Sequence, residues 1–200
     1  MQPSPAGRDE AASSRRRQSA AAIERAAIDL FLTNPYEQVT AQQVAAASGV
    51  SIRTFYRYFA TKDDILLALP KRYAARIAER TASRPGAETA FAAMRAAIDE
   101  LSVVYDDELN RWQDAVTRAH AANRMSTLVV SVTGPLLSDA LAQRSRRDRR
   151  GLDEGWTELA GAAIATALVY GARRWALAGG SLRTHILAAV DFLGDGLDAF

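Results

Sequence analysis

The sequence predicts an all-α fold, and three observations support this. Alanine is abundant whereas Val, Ile and Thr are sparse across the 200 residues, which favours helix over strand. Apolar residues recur with the spacing of one helix face, and no segment shows the sustained alternation of a strand. Glycine and proline punctuate these segments at positions typical of helix ends.

The first helix is predicted to end at Asn34-Pro35, because proline restricts the preceding residue and cannot continue the hydrogen-bond ladder. Residues 1–13, rich in Pro, Ser, Gly and Ala, are predicted to be a disordered tail. The apolar stripe of the first helix consists of Ile23, Ala26, Ala27, Leu30 and Phe31.

Two short helices separated by a glycine follow. The capping box TAQQ places Thr40 at the N-cap of the second helix, with Gln43 reaching back to the Thr40 amide. Gly49 suits the left-handed position after that helix, and Ser51 caps the third helix. Thr61 caps a long fourth helix. The short helices and the glycine-centred turn match helix-turn-helix spacing.

The rest of the chain is also predicted to be helical, with Gly134-Pro135 as a break or a helix start and Gly179-Gly180 as a separator. Pro70, inside the fourth helix, is interpreted as a hinge or as a fixed bend, and we favour the fixed bend. The predicted segments are 62–82, 88–105, 108–122, part of 125–145, 153–178 and 181–197.

Composition and charge restrict the class of protein. The absence of cysteine excludes disulfides and thiolate metal sites, and two histidines are too few for a histidine-cluster metal site. Residues 1–80 carry 12 basic and 8 acidic side chains, whereas residues 81–200 carry 13 and 15, so the N-terminal part is suited to a polyanion. No signal peptide or membrane-spanning run is evident, and a cytoplasmic protein without a membrane partner is expected.

The third helix divides its side chains between a buried face and an exposed one. Ile52, Phe55 and Phe59 fall on one face, which predicts burial. The opposite face carries polar side chains, with one tyrosine at the border: Arg53, Thr54, Arg57, Tyr58 and Tyr56. Arginine pairs with guanine in the major groove, and hydroxyls bind phosphate oxygens. The pattern favours DNA binding over an ordinary solvated arginine face.

The segment TAQQVAAASGVSIRTFYRYFATKDDIL, Thr40 to Leu66, resembles the DNA-binding signature of the TetR family of transcriptional regulators. The resemblance extends back through RRRQSAAAIERAAIDLFLTNPYEQVT and covers about residues 15–66. It implies an all-helical homodimer with about nine helices. The helix-turn-helix domain would occupy residues 14–61, and a helical bundle for effector binding and dimerisation would occupy residues 62–200.

The family pattern also implies a set of DNA contacts. Thr40 would contact phosphate, while Tyr56, Tyr58 and Lys62 would grip the DNA backbone. Arg15–Arg17 are interpreted equally as phosphate or minor-groove contacts and as a solvated basic tail. The complete set is Thr40, Gln42, Gln43, Ser51, Arg53, Thr54, Tyr56, Arg57, Tyr58 and Lys62.

An effector pocket in the bundle would be lined by aromatic and methionine side chains with few polar groups. For every candidate, plain core packing is the alternative. Tyr105–Leu109, YDDEL, is interpreted as an acidic helix start, and Arg144–Gly151, RSRRDRRG, as a solvated loop. The candidates are Phe91, Met94, Tyr105, Trp112, Val116, His120, Met125 and Tyr170.

The last two helices are interpreted as the dimer interface, with monomer core as the alternative. A dimer brings two recognition helices to a palindrome at a spacing near one helical turn. The two stripes are Trp156, Leu159, Ala160, Ala163, Ile164, Ala167 and Leu168, and Ile186, Ala189, Val190, Leu193 and Leu197.

These features predict a ligand-responsive transcriptional repressor that binds palindromic operator DNA as a homodimer and is released by a small-molecule effector. Activation instead of repression is an open alternative. No cofactor, metal or enzyme activity is expected. The sequence shows no paired carboxylates on one helix face with a nearby base, no Ser/His/Asp set that sequence can connect and no phosphate-binding glycine loop. A helical small-molecule-binding protein or enzyme without DNA-binding activity is the second hypothesis, and a regulator with a closed pocket is the third.

Overall fold

The computed structural model describes residues 5–119, 122–147 and 153–195. Within those ranges the chain forms α-helices and one 3-10 turn (Tyr36–Gln38) and no strand, so the all-α prediction is confirmed. The helices are α1 (Pro5–Thr33), α2 (Ala41–Ala47), α3 (Ile52–Tyr58), α4 (Lys62–Ser83), α5 (Ala90–Val104), α6 (Asp106–Arg118), α7 (Ala122–Arg147), α8 (Glu154–Ala178) and α9 (Leu182–Asp195).

The chain divides into two compact units, an N-terminal unit (Met1–Leu66) and a C-terminal unit (Leu67–Phe200), and the division falls inside α4. In the N-terminal unit, α2 packs against both α1 and α3. Each of its four helices contributes apolar side chains that are withdrawn from solvent. These buried residues include Ile23, Ala27, Phe31, Val44, Ala45, Phe55, Phe59, Ile65 and Leu66.

Two helices are longer than their sequence patterns predict. α1 begins at Pro5, so residues 5–13 are helical where the pattern indicates a disordered tail. Proline fits the first turn of a helix, and the alanines and arginines that follow have high helix propensity. α7 continues through Gly134 and Pro135, where a break is predicted. Packing of α7 along α8 outweighs the backbone hydrogen bond lost at the proline.

The C-terminal unit is a bundle built around α8, which packs against α7 and α9. Two glycines of α8 make this close approach possible. A Cβ atom at Gly161 would lie 2.5 Å from the backbone nitrogen of Ser138 on α7, and one at Gly171 would lie 2.7 Å from the Cα atom of Ile186 on α9. Larger residues at these two positions would push the helices apart.

A buried arginine forms hydrogen bonds with the connection between α4 and α5. Arg144 of α7 is only 2% exposed. Its guanidinium donates to the carbonyl oxygens of Thr81 at 3.2 Å, Arg84 at 2.6 Å and Glu88 at 3.2 Å, and also to that of Pro85. Carbonyls at and beyond a helix C-terminus lack helical partners, and Arg144 supplies donors for them.

The prediction of a solvated loop over Arg144–Gly151 is therefore wrong for its first part. Residues 144–147 form the last turn of α7, and Ser145 is buried beside Arg144. Tertiary packing brings the α4–α5 connection next to Arg144. The run of arginines in the sequence therefore does not indicate that Arg144 is buried. Residues 148–152 lie outside the described ranges.

One described helix, the part of α7 from Arg124 to Arg147, is long and apolar enough to cross a membrane. The same helix contains Met125 and Leu137, both 0% exposed within the bundle. A core helix of a soluble protein passes the same test of length and composition. Burial within the bundle covers 44% of this apolar window.

Candidate nucleic-acid interface

Local hydrogen bonds fix the two ends of α2. Thr40 Oγ1 accepts from the Gln43 amide at 3.2 Å, and Gln43 Oε1 accepts from the Thr40 amide at 2.8 Å, so the predicted capping box is present. After the helix, Gly49 has a φ of +70°, as predicted. The amides of Gly49 and the next residue donate to carbonyls in the last turn of α2, which is the Schellman arrangement. This turn sets the direction in which α3 departs.

Two phenyl rings anchor α3 while its arginines face solvent. Phe55 is 1% exposed and Phe59 is 7% exposed, whereas Arg53 and Arg57 are both exposed. The helix therefore has the buried and exposed sides that its sequence predicts. Ile52, predicted to lie on the buried side, is 37% exposed. Ile52 is the first residue of α3 and lies about one turn before Phe55, where this side of the helix is no longer covered by neighbouring side chains.

Tyr58 lies among basic side chains of two helices. Arg57 Nη2 donates to the Tyr58 hydroxyl at 3.3 Å, and Arg57 Cζ lies 5.0 Å from the centroid of that ring. Partial desolvation raises the pKa of Tyr58. Hydrogen bonds with Arg57 and Ser19 and the charges of Arg57 and Arg16 lower the pKa by more in total, so the net pKa lies below the ordinary value. The positive field that favours a phenolate here also favours a phosphate.

Tyr36, which the sequence reasoning does not single out, organises the start of α4. Its ring lies 4.9 Å from that of Phe31, and its hydroxyl donates to Asp63 Oδ1 at 2.7 Å. Lys62 Nζ donates to the Tyr36 carbonyl at 2.7 Å and lies 4.3 Å from the Tyr36 ring centroid. Lys62 thus has one of its three donors engaged within the protein. An aromatic residue directly after Pro35 is the only signal for this arrangement in the sequence.

None of the predicted DNA-contact residues is buried. The exposed ones are Thr40, Gln42, Gln43, Ser51, Arg53, Tyr56 and Arg57, and the half-buried ones are Thr54, Tyr58 and Lys62. They belong to α2, to α3, to the caps before these helices and to the first residue of α4. Arg16 is an exposed residue of α1, whereas the side chains of Arg15 and Arg17 lie outside the described part of the chain.

The hydroxyl groups at the two helix starts have defined partners inside the protein. Ser51 Oγ accepts from the Thr54 amide at 3.1 Å and donates to Thr54 Oγ1 at 2.9 Å. The amide of Asp64 donates to Thr61 Oγ1 at 3.2 Å, as the predicted cap of α4 requires. These caps hold α3 and α4 in position and reduce the freedom of the side chains that would meet DNA.

A cavity of about 70 Å³ lies inside the C-terminal unit, between α4, α6, α7, α8 and α9. Three of the predicted pocket residues line it: Trp112, Val116 and Met125. Polar residues that the sequence reasoning did not select are also in its wall, namely Gln113, Ser126, Thr133 and Arg173. Pro70 of α4 contributes to the wall as well.

The other predicted pocket residues lie elsewhere. Met94 is fully buried in the core, and the Tyr105 ring packs at 5.6 Å from that of Tyr73. The ring of Phe91 lies against Gly194, where a Cβ atom would be 2.5 Å away. Tyr170 is 58% exposed and lines surface grooves beside α8. His120 lies outside the described residues.

An open apolar groove of about 650 Å³ lies between α8 and α9 on the outside of the bundle. Its wall includes Ala163, Ala167, Tyr170, Ala189, Phe192 and Leu193. The predicted interface stripes are therefore split between two environments. Ile164, Ile186 and Val190 are at most 3% exposed and belong to the core, whereas Trp156 and Leu159 are 65% and 58% exposed. Leu197 lies outside the described residues.

Carboxylate and histidine side chains form no metal-binding cluster of three or more in the described ranges. The charged groups of the C-terminal unit pair mainly at the surface. Arg95 of α5 pairs with both carboxylate oxygens of Asp191 on α9, and Arg183 of α9 pairs with Asp99 of α5 at 2.5 Å. These pairs tie α5 to α9. No acidic residue lines the cavity in the part of the chain that the structure describes.

Comparison with known proteins identifies the segment that contains α2 and α3. Residues 23–69 match the family model for bacterial regulatory proteins of the tetR family. A curated relative, the HTH-type transcriptional regulator TcmR of Streptomyces glaucescens, is 32% identical over 130 residues, or 63% of this chain and 54% of the relative. The chain thus matches about half the length of that relative.

Solved structures share the fold. Thermus thermophilus FadR, a TetR family transcriptional repressor in complex with lauroyl-CoA, has a TM-score of 0.59 and 21% identity over 89% of this chain and 94% of its own. The fatty acid degradation regulator FadR of Bacillus halodurans has a TM-score of 0.56 and 19% identity over 90% and 96%. The residues that match the tetR family model, 23–69, include α2, the turn at Gly49 and α3, so this helix-turn-helix segment is similar to that of bacterial regulatory proteins of the tetR family.

Proposed function

We propose that this protein is a ligand-responsive transcriptional repressor. It binds palindromic operator DNA as a homodimer in the cytoplasm, and a small-molecule effector releases it. The observation that carries the proposal is the division of α3 into a side anchored by Phe55 and Phe59 and a side that presents Arg53 and Arg57.

The exposed side of α3 supports direct reading of DNA bases. Arg53 and Arg57 are one helical turn apart, so their guanidinium groups extend from the same side of a helix narrow enough for the major groove. Tyr58 and Arg16 add a hydroxyl and a positive charge near the end of α3, where phosphate contacts would fix the register. The N-caps at Thr40 and Ser51 hold the two short helices that the contacts require.

The groove between α8 and α9 supports dimerisation through these helices. Exposed Tyr170, Phe192 and Leu193 lie beside small residues in the groove wall, so a second copy of the same surface could pack closely. Trp156 and Leu159 extend the exposed apolar stripe towards the start of α8. A symmetric dimer would present two copies of α3 to a palindrome.

The cavity supports control by an effector. Pro70, Tyr73 and Ala74 of α4 are part of its wall, and the same helix begins at Lys62 in the DNA-binding segment. About 70 Å³ is less than a drug-sized ligand needs, so an effector has to displace wall helices as it enters. Displacement of α4 would favour a conformation with lower DNA affinity, which is release by population shift. Thermus thermophilus FadR, which has a similar fold, forms a complex with lauroyl-CoA, and this is a precedent for ligand binding by this architecture.

A mobility-shift titration with the DNA upstream of the protein's own gene tests the proposal. We expect specific, saturable binding whose affinity falls steeply with salt, because about two to four basic side chains per protomer would displace counterions. The logarithm of the binding constant of the dimer should fall against the logarithm of salt concentration with a slope of about −4 to −7. Scrambled DNA of the same length and composition is the control.

Two results would favour the alternative of a helical ligand-binding protein or enzyme. One is equal affinity for the upstream and scrambled DNA at every salt concentration. The other is the absence of a shifted complex at low salt, where electrostatic attraction is strongest.

A further inference from the structure

The charge in the cavity wall is positive. Among the described residues, Arg173 is the only charged side chain that lines the cavity, and no carboxylate does. Tyr73, also in the wall, is a neutral phenol, since burial raises its pKa to about 12 despite the opposing hydrogen bond with Ser102. The rest of the wall is almost entirely apolar, with the buried amide of Gln113 and hydroxyl of Thr133 as its innermost polar groups.

Arg173 lies where this cavity meets the protein surface. Ser126, Val169 and Arg173 line the cavity and also line an adjoining surface groove between α7 and α8. These three residues therefore form the boundary between the two spaces. The groove has further hydroxyl groups, from Thr127, Ser131, Thr166 and Tyr170, and none of its described lining residues is acidic.

The Arg173 guanidinium is available for a ligand. Its side chain is exposed, and within the described ranges it has no ion pair with a carboxylate. Other arginines of the C-terminal unit, such as Arg72, Arg84 and Arg95, are paired with acidic side chains. An arginine at an apolar opening with no acidic partner favours an anionic group there and disfavours a cationic one.

We propose that the effector is an amphipathic anion, which enters between α7 and α8, places its apolar body beside Trp112, Val116 and Met125, and pairs its carboxylate-like head with Arg173. This inference rests on the proposed effector-responsive function and specifies the chemical class of the ligand. A narrow cavity favours a slim or flexible apolar body over a bulky rigid one.

A head-group series tests the proposal on the purified full chain without DNA. The probes are decanoate, decanol and decylammonium, which share one apolar chain and differ in charge, each used below its micelle-forming concentration. Calorimetry and quenching of tryptophan fluorescence report binding. We expect decanoate to bind about tenfold more tightly than decanol, and decylammonium to bind more weakly than both.

Variants at the mouth assign the selectivity to one side chain. Arg173→Gln should reduce decanoate affinity to about that of decanol while leaving decanol affinity unchanged, and Arg173→Glu should reverse the preference towards decylammonium. Arg118→Gln removes an exposed arginine of α6 that lines neither space, and it should leave the selectivity unchanged.

The inference is contradicted if decanoate fails to bind, if the three head groups bind equally, or if Arg173→Gln keeps the preference for decanoate. Its failure is distinguishable from failure of the proposed function. The salt-dependent mobility shift needs no ligand, and the head-group series needs no DNA, so each result stands independently.

Discussion

Replacing both Arg53 and Arg57 with alanine is expected to lower operator affinity by at least about a thousandfold. Both side chains are exposed on α3 and would form bidentate contacts with base edges in the major groove. Each such contact contributes about 1–3 kcal/mol of discrimination, and a dimer loses four of them. The lower end of that range is about 4 kcal/mol, which corresponds to about a thousandfold change in the dissociation constant.

Circular dichroism and thermal unfolding should show that the Arg53/Arg57 double variant keeps its fold, because Phe55 and Phe59 still anchor α3. A matched control removes the same charge elsewhere, through Arg76→Ala with Arg80→Ala. These arginines are 58% and 61% exposed in surface pairs on α4. The control should change operator affinity much less. Comparable affinities of the two double variants would contradict base contact by α3.

Replacing Arg144 with methionine is expected to lower the free energy of unfolding by about 3–5 kcal/mol. The guanidinium donates to four backbone carbonyls between Thr81 and Glu88, in an environment where Arg144 itself is 2% exposed. Methionine fills a similar volume but supplies no donor, so all four carbonyls lose this hydrogen bond, while those of Thr81 and Pro85 keep weak backbone hydrogen bonds of 3.4 Å from the amides of Arg84 and Glu88. Denaturant titration followed by circular dichroism measures the change.

Two further variants separate hydrogen bonding from volume and charge. Arg144→Lys keeps the charge but places a compact ammonium where a planar fork bridges several carbonyls, and it should recover only part of the loss. Arg146→Met removes an exposed arginine from the same helix turn and should cost less than about 0.5 kcal/mol. An Arg144→Met protein as stable as the parent chain would mean that desolvation of the guanidinium cancels its hydrogen bonds.

The DNA-binding segment is predictable from sequence because its geometry is encoded locally. The capping box at Thr40, the N-cap at Ser51 and the positive φ of Gly49 each depend on residues within one helix turn. The burial of Phe55 and Phe59 follows from helical spacing alone. Ile52 is an exception, since its exposure depends on how far the neighbouring helices extend past the start of α3.

The C-terminal unit is less predictable because its important contacts join distant parts of the chain. The Arg144 contacts span some sixty positions, and a run of arginines is indistinguishable locally from a solvated loop. For the cavity, composition indicates that aromatic and methionine side chains line the wall. It does not indicate how each helix is rotated about its axis, and this rotation decides which side chains face the cavity. Met94 therefore lies in the core and Tyr170 is exposed in surface grooves, whereas Arg173 lines the cavity.

Hydroxyl-radical footprinting of the upstream DNA at physiological salt tests the central claim most directly. If two copies of α3 present Arg53 and Arg57 to successive major grooves, two protected half-sites should appear on one face of the duplex. Their centres should lie about one helical turn, roughly 34–36 Å, or a multiple of it apart, and the protection should vanish with the Arg53/Arg57 double variant. Uniform weak protection along the fragment, or a footprint that the double variant reproduces, would contradict the account.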